Sequence, residues 1–370
     1  MSNEEAMSEQ TLDRADFPDL PAASEAFLSF LRAVPRERPL LILSHADADG
    51  LCAGAILHTA LRRAGYAQVR LLITGKGEHA YTRGTRQALE EAAPPCLLVV
   101  DLGCKAEPVL PGIPTLFVDH HRPLGVPEGG ILVSSYTWQP IPNSSLLAWW
   151  LASSLVPVDD LDWVAAMGTL SDLGDEAPFA LLAAAKKRYT AKWLREATTL
   201  VNAARRATAH DTATALQAIR NARHPRDIAE ESTPEGARLW AYRREVNAAF
   251  NEGKKAAPVF SREVALVRVN SPCLIHPLVA QIWRTRLPRY IVIVANEGYL
   301  PGRVTFSARS SGQYNLLDFF RTIDLDLAEG YFGYGHDQAS GGVIPIAAWN
   351  ELLRQLGFGP EVMVQEECAG

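Results

Sequence analysis

The sequence has no apolar run near the ~18–20 residues that a membrane-crossing helix requires. Its longest apolar stretches, around residues 146–151 and 179–185, are far shorter. No secretory leader is expected from MSNEEAMSEQ, which has neither a basic beginning nor an apolar centre. The expected compartment is therefore the cytoplasm, with no membrane partner. Cysteine is scarce: Cys52, Cys96, Cys104, Cys273 and Cys368 are widely spaced, with no C-x-x-C pair. This excludes a disulfide framework and a thiolate zinc site, and all five read as reduced thiols. No internal repeat is evident, which excludes a solenoid. Charged residues make up 21% and hydrophobic residues 48% of 370, so the chain is neither disordered nor a coiled coil. Its length suits about two domains.

The net charge is −6, yet residues 186–262 hold 16 Lys and Arg against 8 Asp and Glu. A basic middle on an acidic protein is the footprint expected of a phosphate-chain partner. It equally fits a solvated helical face of long side chains.

Residues 1–20 carry Glu4, Glu5, Glu9, Asp13 and Asp16 and few large apolar residues, so they read as a disordered acidic tail. A helix is predicted over 23–33. Short apolar runs then predict strands at 40–44, 69–73, 96–100 and 115–118, with helices at 51–64, 82–92, 144–155 and 161–170. This alternation predicts an α/β fold with an open parallel sheet over residues 21–178. Residues 179–261 read as a basic helical connector, rich in alanine. From 262 onward a small α/β domain is predicted. It has strands at 263–269, 290–295, 302–307 and 343–345 and helices at 275–286 and 347–356. A glycine-rich loop, GYFGYGHDQASGG, is expected at 330–342.

The polar motifs of the first domain follow predicted apolar elements. Ligand sites of open α/β sheets form beyond the carboxyl ends of the strands. Ser44-His45-Ala46-Asp47-Ala48-Asp49-Gly50 follows the first strand. Its carboxylates and imidazole suit Mn²⁺ or Mg²⁺ better than a structural zinc, although Asp49 also reads as a helix cap. Asp101 follows the strand CLLVV at 96–100, and Val118-Asp119-His120-His121 ends another. Paired histidines after an acid are hard to explain by packing. Asp172, in Gly168-Thr169-Leu170-Ser171-Asp172-Leu173, ends an apolar helix against the macrodipole, a mild cost that a cation would offset.

The set H-x-D-x-D-G, D, D-H-H and G-T-x-x-D-L resembles the four motifs of the DHH phosphoesterase superfamily, in order. Phe306-Ser307-Ala308-Arg309-Ser310 and Gly335-His336 with Ala339-Ser340-Gly341-Gly342 resemble the associated DHHA1 domain. The single-residue spacing of D-x-D-G is similar to RecJ-type single-strand exonucleases. The nano-RNase and cyclic-dinucleotide branch typically has N-P-D-G-D-A there. Tyr334 departs from the DHHA1 pattern, standing where a glycine is usual.

The resemblance implies hydrolysis of phosphodiesters by two-metal activation of water, with two Mn²⁺ ions or Mg²⁺ in their place. By motif, His45, Asp47 and Asp101 would hold one ion. Asp49, Asp101, His120 and Asp172 would hold the other. His121 would touch phosphate and Asp119 would orient a histidine. Arg309, Ser310, His336 and Gly335 would bind the substrate phosphate. The implied partner is single-stranded DNA or RNA, or a short oligonucleotide. A small-substrate phosphodiesterase and a non-catalytic scaffold are the alternatives. Polarity and oligomeric state, dimer included, stay open. His58, His79, His210, His224 and His276 read as surface or core residues. Trp138, Trp149 and Trp150 read as core packing, or as platforms for stacked bases.

Overall fold

The computed structural model describes residues 11–327 and 331–365. Cys368 and the glutamates at 4, 5 and 9 lie outside them. The chain divides into two compact units. The first holds residues 11–74, His79–Asn202 and Thr212–Arg238. The second holds Gly75–Glu78, Ala203–Asp211 and the residues from Leu239 on.

In the first unit α1 (Leu20–Ala33) precedes β1 (Leu40–Ser44), α2 (Ala48–Arg63), β2 (Val69–Ile73), α3 (Arg83–Ala92), β3 (Leu97–Val100), β4 (Thr115–Asp119) and β5 (Ile131–Ser134). There follow α4 (Ser144–Leu155), α5 (Asp162–Leu173), α6 (Ala180–Tyr189), α7 (Ala191–Arg206), α8 (Thr212–Asn221) and α9 (Pro225–Ala229). The strands form one parallel sheet in the order β2-β1-β3-β4-β5. Every residue of β1, β3 and β4 is buried. Covering both faces is what makes LLILS, LLVV and TLFVD continuous apolar runs rather than alternating ones. The α/β parallel-sheet class is as the sequence predicts. β5 is not among the predicted strands, since ILVS is short and mostly half-buried at the sheet edge.

The acidic tail needs correction over residues 11–20. Leu12 pairs with Phe179, accepting from the Ala180 amide and donating to Pro178 O, both at 2.8 Å. Asp13 and Asp16 form a capping box around a single 3₁₀ turn. Phe17 is buried against the rings of Trp138, Trp150 and Phe179 at 5.7, 5.0 and 6.2 Å. These acids cap a short turn and the apolar residues beside them fill a core. Trp138 and Trp150 are therefore packing residues, not stacking platforms. Trp149 is half-buried and donates its indole N–H to Val158 O at 3.0 Å.

The connector is helical but is not a third body. α6, α8 and α9 belong to the first unit and bury Leu181, Leu182, Ala215, Ile219 and Ile228. α7 and α10 (Pro234–Gly253) each pass from the first unit into the second.

The second unit continues with β6 (Val259–Ser261), β7 (Val264–Val269), α11 (His276–Arg286), β8 (Ile291–Leu300), β9 (Arg303–Arg309), α12 (Leu316–Arg321), β10 (Tyr331–His336), β11 (Ala339–Pro345) and α13 (Ile346–Gln355). Its sheet runs β10-β11-β9-β8-β7-β6, parallel only between β7 and β8. Trp349, Phe306, Phe320 and Leu352 centre its core. The expected glycine-rich loop is instead the antiparallel hairpin β10–β11. Its glycines serve close packing. A Cβ on Gly341 would lie 2.5 Å from Phe306 O, and one on Gly342 would lie 2.5 Å from Tyr331 O. No described helix is long and apolar enough to cross a membrane.

Candidate active site

The acidic and histidine motifs of the first unit meet at the carboxyl ends of β1, β3 and β4. Strand order reverses between β1 and β3, the switch point where α/β sheets open a crevice. His45 follows β1, and Asp47 caps α2 by accepting from the Gly50 amide at 3.0 Å. A Cβ on Gly50 would sit 2.5 Å from His45 O, so only glycine lets the loop fold back on the first helical turn. His45 Nδ1 lies 3.2 Å from Asp47 Oδ2 and 3.4 Å from Asp101 Oδ2.

Asp101 ends β3 in the left-handed region, at φ +61°. This costs a non-glycine residue about 1–2 kcal/mol and directs the carboxylate toward two histidines. Its Oδ1 lies 3.4 Å from His120 Nδ1. His120 Nδ1 is also 3.7 Å from Asp49 Oδ2, and His120 Nε2 is 3.2 Å from Asp172 Oδ2. Two groups of ligand atoms result, each within 4.8 Å: His45, Asp47 and Asp101, and Asp49, Asp101 and His120. Asp101 belongs to both.

The N-terminus of α4 supports this arrangement. Asp49 accepts from the amides of Ser144 and Ser145 at 2.9 and 2.8 Å, and from Asn143 Nδ2 at 2.5 Å. Unpaired amides and the helix dipole favour a carboxylate there. Ser144 Oγ donates to Asp101 Oδ1 at 2.8 Å and lies 3.0 Å from His120 Nδ1. Thr169 donates to Asn143 Oδ1 at 2.9 Å. A Cβ on Gly168 would lie 2.0 Å from Ser145 Oγ and 2.8 Å from Asp49 Oδ1. The G-T pair thus makes room for this junction and ties it down.

Burial, with the neighbouring carboxylates Asp49, Asp47, Asp172 and Asp119, holds Asp101 well above the usual carboxylate range. Burial, helped by Asp172 and Asp47, pushes Asp49 up to about 7. His120 is raised to about 9: Asp172, Asp49 and Asp119 outweigh its own burial. These carboxylates therefore repel one another around imidazoles, a donor set suited to divalent cations. The residues fit a metal centre.

Asp119 is satisfied by the protein itself. It accepts from the Leu102 and Gly103 amides at 2.8 and 2.6 Å and from the His121 amide and Nδ1 at 2.7 and 2.8 Å. Its burial would raise its pKa, but the pairing with His121 prevails and holds it below the usual range. His121 stacks on His120 at 4.2 Å.

In the second unit Arg309 ends β9 and donates to Ser307 Oγ and Ala308 O, each at 2.8 Å. Burial and the nearby Arg284 pull it down to about 10. Among the described residues no carboxylate pairs with it. Ser310 follows β9. It is fully buried, and its Oγ accepts from the Gly312 and Tyr314 amides at 3.2 Å, shaping the turn. Gly335 has φ +130°, and a Cβ there would meet Ala339 O at 2.3 Å. His336 ends β10, half-buried, in register with Ala339.

No protein-family model matches the chain, and no curated protein is similar to it in sequence. Solved structures are similar. The Mn²⁺ complex of RecJ from Thermus thermophilus superposes with a TM-score of 0.68 at 18% identity, over 92% of this chain and 54% of that one. The fold is that of RecJ. The Mg²⁺ complex of the same protein gives 0.61 at 16% identity, over 92% and 52%. A manganese-bound RecJ exonuclease gives 0.63 at 19%, over 91% of this chain and 95% of that one. A DHH domain from a member of a ribosomal protein family gives 0.66 at 16%, over 94% and 92%. This chain spans about half the length of the Thermus RecJ.

Within this RecJ fold, sequence reasoning missed Asn143, Ser144, Ser145 and His79. The first three carried a signal, since Asn and Ser before an apolar helix mark an N-terminus. His79 follows β2, at the same sheet end as the other motifs. Its ring stacks on Tyr81 at 5.8 Å. Burial and the charges of His45, Lys105 and His121 push it down to about 3. The basic connector is partly neutralised. Lys186 and Arg195 both pair with Asp175, Arg188 with Asp162 and Arg226 with Glu230.

Proposed function

We propose that this chain is a DHH-superfamily phosphodiesterase, a hydrolase dependent on divalent metal that acts on single-stranded nucleic acid as a RecJ-type exonuclease. The observation that carries this reading is the shared carboxylate. Asp101 stands between His45 and His120, with Asp47, Asp49 and Asp172 completing two donor sets.

In this reading His45, Asp47 and Asp101 hold one ion, and Asp49, Asp101, His120 and Asp172 hold the second. Imidazole donors favour Mn²⁺, and Mg²⁺ is accepted by the carboxylates. When bound, the ions supply Lewis acidity for attack of water on phosphorus and neutralise the charge that develops there. The chain's own groups do the rest. Asp119 fixes His121 by accepting from its Nδ1, which leaves Nε2 on the far side of the ring, where the imidazolium form donates to a phosphate oxygen. Arg309 is presented by Ser307 and Ala308. Its planar fork suits two phosphate oxygens. Gly335 lets the β10–β11 hairpin close so that His336 stands at its tip.

The test incubates purified wild type and Asp101→Ala with Mn²⁺ and three end-labelled substrates: a long single-stranded DNA, a long RNA and a dinucleotide. Stepwise shortening of a long strand by wild type alone supports the exonuclease reading. Cleavage of the dinucleotide alone moves the assignment to a small-substrate phosphodiesterase. No cleavage by wild type, with no Mn²⁺-dependent change in stability, refutes the enzyme.

A further inference from the structure

Ser144 occupies a position that the proposed ligand sets do not explain. It is fully buried, and its single hydroxyl lies between two members of the site. It donates to Asp101 Oδ1 at 2.8 Å, and its oxygen is 3.0 Å from His120 Nδ1. A hydroxyl has one proton; once Asp101 ligates a cation it is a carboxylate, which can only accept, so that proton is committed to Asp101. The contact to His120 must then run the other way, with an N–H on Nδ1 and the Ser144 oxygen as acceptor. The surroundings of Nδ1 agree. Asp101 Oδ1 at 3.4 Å and Asp49 Oδ2 at 3.7 Å also face it, and both are acceptors.

We infer that Ser144 is a positioning residue that fixes the tautomer of His120, so that His120 offers Nε2 to a cation. The relay runs from His120 Nδ1–H to Ser144 Oγ–H to Asp101 Oδ1. It makes Asp172, whose Oδ2 is 3.2 Å from Nε2, the carboxylate that shares a cation with His120. The group of Asp49, Asp101 and His120 would use Nδ1 if it formed a site by proximity alone. The Ser144 bond excludes that use. Asp49 Oδ1 accepts from Asn143 and Ser145 and Oδ2 from Ser144, which leaves one lone pair of Oδ2 for the cation. Histidines that bind metals commonly donate the other ring N–H to a fixed acceptor, and losing that acceptor costs about 10–100-fold in affinity.

This inference rests on the reading that the site binds divalent cations, and one experiment separates the two. Protein labelled with ¹⁵N-histidine is titrated with Zn²⁺, a diamagnetic probe, and long-range ¹H–¹⁵N spectra are recorded. His120→Gln assigns the ring. The expected result is a proton on His120 Nδ1 and a metal-shifted, unprotonated Nε2. A proton on Nε2 with metal at Nδ1 overturns the role of Ser144 and leaves the metal centre standing. No Zn²⁺-dependent change at His120 overturns both. In Ser144→Ala, Zn²⁺ affinity by calorimetry should fall at least ~10-fold, and Ser144→Thr, which keeps the hydroxyl, should recover most of it. Unchanged affinity in a folded Ser144→Ala protein also overturns the inference.

Discussion

Replacing Asp119 by asparagine isolates what a buried carboxylate does when it faces only donors. Four N–H groups converge on it, two on Oδ2 from Leu102 and Gly103 and two on Oδ1 from His121. An asparagine keeps one acceptor oxygen. Whichever way its amide turns, an NH₂ meets two N–H donors. Two charge-assisted bonds vanish and two buried donors lose their partner, at about 1–3 kcal/mol each. The sum for Asp119→Asn is about 3–5 kcal/mol, comparable to breaking a buried ion pair. For a unit of this size that lowers the melting temperature by roughly 10 °C. The sign with pH follows from the depressed pKa. The carboxylate's contribution is present above its unfolded value near 4 and is lost only as pH falls below that. The difference between wild type and Asp119→Asn should therefore stay constant from about pH 5.5 to 8. Thermal and urea unfolding followed by circular dichroism measure it. A difference under about 1 kcal/mol, or one that closes as pH rises above about 6, would refute the assignment of Asp119 as the anchor of the Asp101–Gly103 turn and of His121.

Gly168→Ala puts a methyl 2.0 Å from Ser145 Oγ, which must displace the α4 N-terminus from Asp49. Calorimetry should show Mn²⁺ binding weakened at least ~10-fold, with an overpacking cost of about 1–3 kcal/mol in unfolding. Saturating Mn²⁺ should stabilise wild type by about 2–3 kcal/mol per site at roughly a hundredfold excess over Kd. Chelation should reverse this and Asp101→Ala abolish it; a wild-type melting curve unmoved by Mn²⁺ counts against the metal centre. His276, held at about 3 by burial, Arg309 and Arg205, is neutral when folded. Its contribution is complete above about pH 6.5 and falls as pH drops toward 3, by about 2 kcal/mol at pH 5. His276→Phe, which preserves the edge contact to Tyr299, should flatten the loss of stability between about pH 7.5 and 5. An unchanged slope would place the titration elsewhere.

Much of the first unit was legible because its strands are buried on both faces. β1, α4 and β2 fall where periodicity and apolar runs put them, and the ligand motifs stand at strand ends where the backbone turns. Legibility failed where a residue's reason lies in a distant neighbour. Gly341 and Gly342 look like loop residues, yet they are strand residues pressed against Phe306 and Tyr331. Asp13 and Asp16 look like a solvated tail, yet they cap a turn beside buried Phe17. Ser310 reads as a partner of Arg309 in an R-S segment, yet it lies just beyond β9 and its buried hydroxyl accepts from the Gly312 and Tyr314 amides of the turn. His79 had no motif, and the Asn143-Ser144-Ser145 signal marked a helix start without pointing to Asp49 and Asp101, since proximity to the site arises only when the sheet is assembled.

The charge distribution explains why these residues are buried where they are. A chain selected for stability alone gains nothing from burying Asp49 and Asp101 side by side, where Asp49 pushes Asp101 up and Asp172 and Asp47 push Asp49 up. The amides at the start of α4 compensate Asp49. Among the described residues Asp101 has a serine hydroxyl and three imidazoles, and it occupies a strained backbone conformation to reach them. The deficit left in the first unit is of positive charge, concentrated on one carboxylate that two donor sets share. In the second unit the deficit is opposite, because Arg309 is buried beside Arg284 with no carboxylate among the described residues. On the proposed function, divalent cations would meet the first deficit and a phosphate ester the second. A non-catalytic scaffold would need neither. That both deficits are kept supports a chain that works on metal ions and phosphate.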